Sequence, residues 1–319
     1  MSASSLNRRR ILSLWLPRLP IDRIQRFFDG VGLGRTNDPS IVVIKDSNAL
    51  VIHALDEAAE RLGLYIGQPL ANARAMCPDL KVFDADAVAD AKTIGDIADW
   101  CDRFTPLVAL DPPHGLFLDI TGCAHLFGGE AALLQTLVRA LDRQGFAVSA
   151  AIAGTSVCAR TLTRQSSGTI VADGGEAAAI SRFPVSALGA GEAISTGLRR
   201  AGLKTIGGVA SRTPSEITAR FGARFSMLLA HALGQGDAPI NPRKPLPDYI
   251  VEKRFAEPIS TDTMIARTAP SVRKKVASNR RAPLPCFSID AINVSARRDS
   301  VIAIMVSVAI GSAKRFSTM

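Results

Sequence analysis

The chain has 319 residues, of which 47% are hydrophobic and 21% charged, a balance that fits a globular protein and excludes a disordered or collagen-like one. At about 100–200 residues per domain, this length predicts two or three domains. The formal net charge of +9 favours polyanionic partners such as nucleic acid or anionic lipid. The longest apolar run, residues 301–310 interrupted by Ser307, falls well short of the roughly 20 residues a membrane helix needs.

Residues 11–16 read as a buried strand. The run is short, largely apolar and stopped by Pro17, which fits a strand better than a signal peptide despite the preceding Arg8, Arg9 and Arg10. Residues 20–28 predict a helix with Ile21, Ile24 and Phe28 on one face and Gly30 behind it. Strands at 41–44 and 50–54 flank the turn-like Asp46-Ser47-Asn48. A short helix at 56–62 has Asp56 as cap and Gly63 as stop, and another covers 71–76. A strand at 80–83 leads to a longer helix at 88–104. Two apolar runs, 107–110 and 116–120, flank Asp111-Pro112-Pro113-His114-Gly115 and predict a β-hairpin. Residues 130–143 form an amphipathic helix with Leu133, Leu134, Leu137, Val138 and Leu141 in a stripe. A strand at 148–153 and a helix at 156–164 follow. This succession predicts an α/β (α+β) layer of the ferredoxin-like kind. From about residue 184 the strands stop. Helices at 192–201, near 209–211, at 214–221 and at 223–233 predict a small all-helical domain, and Pro239, Pro242, Pro245 and Pro247 mark a linker.

The five cysteines (Cys77, Cys101, Cys123, Cys158 and Cys286) are scattered, form no CxxC pair and are not grouped with the four histidines. Reduced thiols in a cytoplasmic protein are expected, with neither a zinc site nor a disulfide framework. The charge is uneven. Residues 261–319 hold ten basic and three acidic side chains, and Leu284 is their one leucine. The composition therefore shifts sharply after Ile259.

The helical domain contains two glycine turns, Leu188-Gly189-Ala190-Gly191 and the stretch 202–207 with Lys204 and Thr205. They have the form of helix-hairpin-helix elements. Glycine lets the backbone turn with positive φ and approach a phosphate closely, and the amides of the following helix complete an anion site. Gly189, Gly191, Lys204, Thr205 and Gly207 are thus candidate contacts to a nucleic-acid backbone, set among Arg199, Arg200, Arg212, Arg220 and Arg224. Glycines that merely join packed helices are the other reading.

The stretch from Val108 to Gly122 resembles the palm hairpin of the Y-family translesion DNA polymerases. There the pattern runs Ser-x-Asp-Glu, a small residue, an aromatic, then Leu-Asp-x-Ser/Thr. Its end stands here as Phe117-Leu118-Asp119-Ile120-Thr121. Counting back from Asp119, the Ser position holds Pro112 and the two acid positions hold His114 and Gly115. The acid that ends the family's first strand is replaced by Leu16. In the fingers, a Tyr-Glu-Ala-Arg pattern that grips the triphosphate is replaced by Glu57-Ala58-Ala59-Glu60. Two acids would repel a triphosphate at close range. Trp15-Leu16-Pro17-Arg18, Gly67-Gln68-Pro69-Leu70-Ala71-Asn72-Ala73-Arg74, Trp100-Cys101-Asp102-Arg103-Phe104-Thr105-Pro106 and the run from Asp119 to Gly129 resemble the ImuB branch of that family, which lacks the catalytic acids.

The resemblance spans about residues 10–260. It implies a palm with small fingers over 1–183, a helix-hairpin-helix thumb over 184–238, a Pro-rich linker over 239–260 and a basic tail over 261–319. It also implies a DNA-binding accessory of translesion synthesis, active in the SOS response and in damage-induced mutagenesis. The implied partners are DNA, the sliding clamp, an ImuA-like RecA-related protein and an error-prone DnaE-type polymerase, with no membrane. No catalytic or metal residue and no cofactor are expected. Magnesium enters only in the alternative of an active polymerase, in which Asp111, Asp119 or Asp22 would serve as non-standard ligands. The tail suggests a frameshifted or truncated gene, with the chain as a non-functional remnant as a further alternative; otherwise it is a diverged little finger or an unrelated DNA-binding segment. It shows no clamp-type peptide. Gln25-Arg26-Phe27-Phe28 has a faint likeness to one, but is expected to be ordinary core packing on the first helix.

Overall fold

A computed structural model describes residues 9–31, 38–236 and 239–243. Residues 244–260 of the linker and the whole of 261–319 lie outside the described residues, and with them the readings of the tail. In chain order the elements are β1 (Ile11–Trp15), α1 (Leu19–Gly30), β2 (Ser40–Asp46), β3 (Ala49–Leu55), α2 (Glu57–Arg61), α3 (Leu70–Met76), β4 (Lys81–Asp84) and α4 (Ala87–Cys101). They continue with β5 (Val108–Asp111), β6 (Gly115–Asp119), α5 (Glu130–Arg143), β7 (Ser149–Ala153) and α6 (Ser156–Gln165). The helices α7 (Glu176–Ile180), α8 (Glu192–Arg200), α9 (Ile206–Ala210), α10 (Pro214–Phe221) and α11 (Ala223–Ala232) complete the described unit.

The strands form two sheets. The palm sheet has the order β5-β6-β1-β7 and is antiparallel throughout. Taking only its strands, with α4 before β5 and α5 between β6 and β7, this is the ferredoxin-like arrangement expected from the sequence. Leu12 and Leu14 alternate along β1, and Leu16 just beyond it continues their side of the sheet. They join Ile94, Ile97 and Cys101 of α4 and Leu133, Leu137 and Leu141 of α5 in one buried core. The opposite face carries Ile11, Ala151 and Ala153, which pack with Val157, Cys158 and Leu162 of α6 and with Leu198, Ile206 and Phe225 of the helical domain. A palm covered on both faces explains why β1 reads as a nearly continuous apolar run.

The fingers have their own sheet, β3-β2-β4, with β2 and β4 parallel. Ile41, Val43, Ile52, Leu64, Leu70 and Ala73 form its core. On its other side, Ile21 of α1 packs with Val42 and Ala54. Helix α1 is further anchored by Asp22, whose carboxylate accepts the Ala147 N–H at 2.8 Å. Asp22 is therefore buried in a structural role. The expectation that Phe27 packs in the core fails: it is 66% exposed, while Phe28 meets Phe83 with ring centroids 5.8 Å apart. The reason is helical geometry, because adjacent residues on α1 point about 100° apart and only one of the two phenylalanines can face the sheet.

The start of the Pro-rich stretch returns to the palm. Arg243 donates from its backbone N–H to the Val108 carbonyl (2.7 Å) and from Nη1 to the Gly95 carbonyl (2.7 Å), and its Nη2 lies 3.0 Å from Asp99. Among the described residues the cysteines are free. Burial pushes the Cys101 and Cys158 thiols up, the latter to about 12. Leu137 is fully buried between α5 and the palm sheet. Leu137→Ala is expected to lower unfolding stability by about 2–5 kcal/mol in urea titrations.

Candidate functional site

Pairing of β1 with β6 sets Trp15 opposite Gly115, and one step further the Leu16 N–H donates to the His114 carbonyl at 3.0 Å. The three positions singled out in the sequence, Leu16, His114 and Gly115, therefore meet at one corner of the palm. Their side chains are those of a closed corner. Leu16 is fully buried among the core leucines. Gly115 pairs with Asp111 across the hairpin, and a Cβ built on it would lie 2.8 Å from the Asp111 carbonyl oxygen and 3.1 Å from Asp111 Oδ2. No larger residue fits there unless the hairpin shifts.

His114 is half-buried, with its ring edge-on to His53 of β3 and centroids 6.4 Å apart. Burial lowers its imidazole pKa below the ordinary 6.5, nearby Asp90 opposes the shift and His53 adds to it. Asp90 is itself held by Arg23, at 2.7 Å.

The other acids near the corner are also engaged. Asp111 is buried, with Arg160 Nη1 and Arg164 Nη2 of α6 each 3.6 Å from its carboxylate. Burial pushes its pKa up while the two arginines pull it down. Asp119 is at the far end of β6, about 14 Å from Gly115 at some 3.4 Å per strand residue. It accepts the Thr121 N–H at 3.1 Å and pairs with Arg9 at 3.3 Å. Two catalytic metal ions need carboxylates around centres only about 3.5–4 Å apart. Asp111 and Asp119 cannot share such a centre. Among the described residues no group of three or more His, Cys, Asp or Glu side chains gathers to hold an ion. The residues at this corner do not fit a magnesium pair, which requires hard oxygen donors.

Above the corner, Asp56 caps α2 by accepting the Ala59 N–H at 2.8 Å. This sets Glu57 and Glu60 toward Arg18, whose Nη2 lies 2.5 Å from Glu60 and whose Nη1 lies 3.9 Å from Glu57. An ion pair thus joins the end of β1 to the fingers.

In the helical domain, Gly189 (φ +68°) and Gly191 (φ +95°) adopt positive φ and feed directly into α8. The first amides of α8 have no intrahelical acceptor. Gly202 (φ +76°) makes the second turn. Lys204 and Thr205 are exposed there, and the Thr205 hydroxyl accepts the Gly208 N–H at 3.2 Å to cap α9. The Lys204 carbonyl accepts from Val185, which ties the two turns together. Gly207, unlike Gly189 and Gly191, does not adopt positive φ. Its N–H already donates to the Ser181 carbonyl at 2.9 Å, and a Cβ there would stand 3.0 Å from that oxygen. Its glycine serves close packing. Arg199, Arg200, Arg212, Arg220 and Arg224 are exposed on the same domain. Sequence reasoning missed Arg160 and Arg164. Their spacing of four on a helix is the signal, but nothing in the sequence says that they meet Asp111.

Known proteins share this fold. Residues 24–164 match the impB/mucB/samB family. Among solved structures, the fold is similar to DinB from Sulfolobus solfataricus, with a TM-score of 0.59 at 14% identity, covering 73% of this chain and 69% of that one. It is likewise similar to the insertion ternary complex of Dbh DNA polymerase, with a TM-score of 0.61 at 14% identity, covering 72% and 69%. In its arrangement of palm, fingers and helical thumb the chain is thus similar to these polymerases. In sequence the chain is ImuB-like, being 42% identical over 209 residues to the ImuB protein of Caulobacter vibrioides, which covers 65% of this chain and 46% of that one. It is also 27% identical over 256 residues to a DNA polymerase IV of Alkalilimnicola ehrlichii, covering 76% and 71%. The chain spans about half the length (46%) of the ImuB proteins it matches. Among the described residues no helix is long and apolar enough to cross a membrane.

The lowered pKa of His114 has a signed consequence. Below the ordinary value of 6.5 the unfolded chain takes up this proton while the folded chain resists it, so stability falls as pH drops. His114→Gln is expected to flatten that part of the acid slope, measured by urea unfolding at several pH values on either side of 6.5.

Proposed function

We propose that this chain is a DNA-binding accessory protein of translesion synthesis and damage-induced mutagenesis that does not itself transfer nucleotides. One observation carries the reading. The corner that would have to hold catalytic carboxylates consists of the core leucine Leu16, the histidine His114 and the sterically required Gly115. The neighbouring acid Asp111 is committed to two arginines, and Asp119 lies at the other end of its strand. An active polymerase using Asp111 and Asp119 would have to break these ion pairs and bring the end of β5 to the far end of β6.

DNA binding is supported by the glycine turns with exposed Lys204 and Thr205, and by the exposed arginines around them. Backbone contacts of this kind are independent of sequence and sensitive to salt. The likeness to ImuB supports the finer part of the reading. In it the protein works in the cytoplasm with the sliding clamp, an ImuA-like RecA-related protein and an error-prone DnaE-type polymerase, in the SOS response.

The test gives the purified chain a labelled primed template, dNTPs and Mg²⁺ or Mn²⁺. Anisotropy and primer length are followed in the same tube. Binding is expected without extension, and for about four phosphate contacts affinity should fall about 100-fold between 50 and 200 mM salt. Primer extension above that of the metal-free control contradicts the proposal.

A further inference from the structure

The palm face that α6 covers carries a row fixed by strand register. Asp111 stands opposite Gly115, Gly115 opposite Trp15, and Trp15 opposite Ser149. Directly paired residues project to the same face of a sheet. Gly115 contributes no side chain to the row, and the Asp111 carboxylate takes the space beside it, with Oδ2 3.1 Å from where a Cβ would be. Helix α6 packs on β1 and β7 and extends Arg160 and Arg164, one turn apart, toward the single carboxylate.

The arrangement leaves cationic capacity unused. Both arginines reach Asp111 only at 3.6 Å, beyond the 2.7–2.9 Å of a good charge-assisted hydrogen bond. Arg164 Nε is buried and has no hydrogen-bond partner. Its guanidinium lies 5.7 Å over the Trp15 ring. Arg160 Nη2 makes a long 3.4 Å bond to the Leu188 carbonyl. Two guanidiniums against one carboxylate leave a net charge of +1 and several undirected N–H donors. A phosphate, with more oxygens than a carboxylate and a geometry suited to two guanidinium forks, is the anion that satisfies them.

The pair also adjoins the first glycine turn. Leu188, whose carbonyl Arg160 contacts, immediately precedes Gly189, and a Cβ on Gly189 would lie 3.8 Å from Arg160 Nη2. We propose that Arg160 and Arg164 form a phosphate-binding pair on the palm that continues the DNA-backbone track of the Gly189-Ala190-Gly191 turn, with Asp111 as the internal anion that holds the two guanidiniums together and competes with the DNA phosphate. The proposal rests on the DNA-binding reading above.

The experiment uses the full chain and labelled primed DNA, with anisotropy recorded across a salt series. Asp111→Asn is expected to tighten binding by about threefold or more, because it removes the competing charge. The double variant Arg160→Gln with Arg164→Gln is expected to weaken binding about tenfold and to reduce the magnitude of the salt slope by about one to two. Lys204→Gln serves as a control on the thumb, and circular dichroism checks that each variant is folded. If Asp111→Asn does not fold, the slope of the double variant decides alone. An unchanged slope in the double variant, while Lys204→Gln still weakens binding, overturns the proposal and leaves the DNA-binding reading standing. Failure of the wild-type chain to bind DNA at all is the failure of that reading. In a separate arm inorganic tripolyphosphate is the probe. A thermal shift with tripolyphosphate that the double variant abolishes, without any DNA binding, assigns the pair to a free phosphate compound and overturns the DNA assignment.

Discussion

Strand β1 is five residues long and paired on both sides, to β6 and to β7, so its register is the constraint on which the rest of the molecule depends. Because side chains alternate, Leu12, Leu14 and Leu16 belong to the core with α4 and α5, and Ile11 and Ser13 face α6. Thr163 of α6 donates to the Ser13 carbonyl, fastening that face directly. A slip of one residue would reverse every one of these assignments. The same register carries Leu16 to the tip of the β5–β6 hairpin, so the strand that builds the core also builds the corner.

At that corner the electrostatics run against divalent cations. A buried leucine and a glycine contribute no charge, and burial disfavours the charged form of His114. The acid next in line, Asp111, has its charge matched by Arg160 and Arg164. On the fingers side, Glu57 and Glu60 are drawn to Arg18. Of the carboxylates near the corner, Asp90, Asp111, Glu57 and Glu60 face arginines, and Asp56 caps a helix. The arginines of α6 exceed the acid they meet, and the surplus points toward a polyanion rather than a metal.

Much of the fold was legible in the sequence because local signals agreed with tertiary demands. The leucine stripe of α5 gave both of its ends, at Glu130 and Arg143, and the Asp111-Pro112-Pro113-His114-Gly115 turn gave the hairpin. Three short elements were missed: the 3-10 turns Ala124–Phe127 and Val185–Leu188, and α7. Segments of four or five residues carry less than two turns of periodicity, so pattern alone cannot find them. The capping box of α10, in which Thr213 and Glu216 bond reciprocally, is a signal that was present and unused. In the site, the spacing from Asp119 back to Gly115 and His114 was readable, since a hairpin preserves it. The meeting of Asp111 with Arg160 and Arg164 was not, because it joins residues about fifty positions apart through the packing of α6 on the palm. Nor was the commitment of the Gly207 amide to Ser181, since a glycine in a turn looks the same whether it faces a phosphate or a neighbouring carbonyl.

The most direct test of this account is a Mn²⁺ titration of the chain bound to primed DNA, followed by electron paramagnetic resonance. The account predicts no saturable sub-millimolar Mn²⁺ binding beyond that of the DNA alone. Two saturable ions per chain, lost when Asp111 is changed to Asn, would contradict it and establish a relocated metal centre at the palm corner.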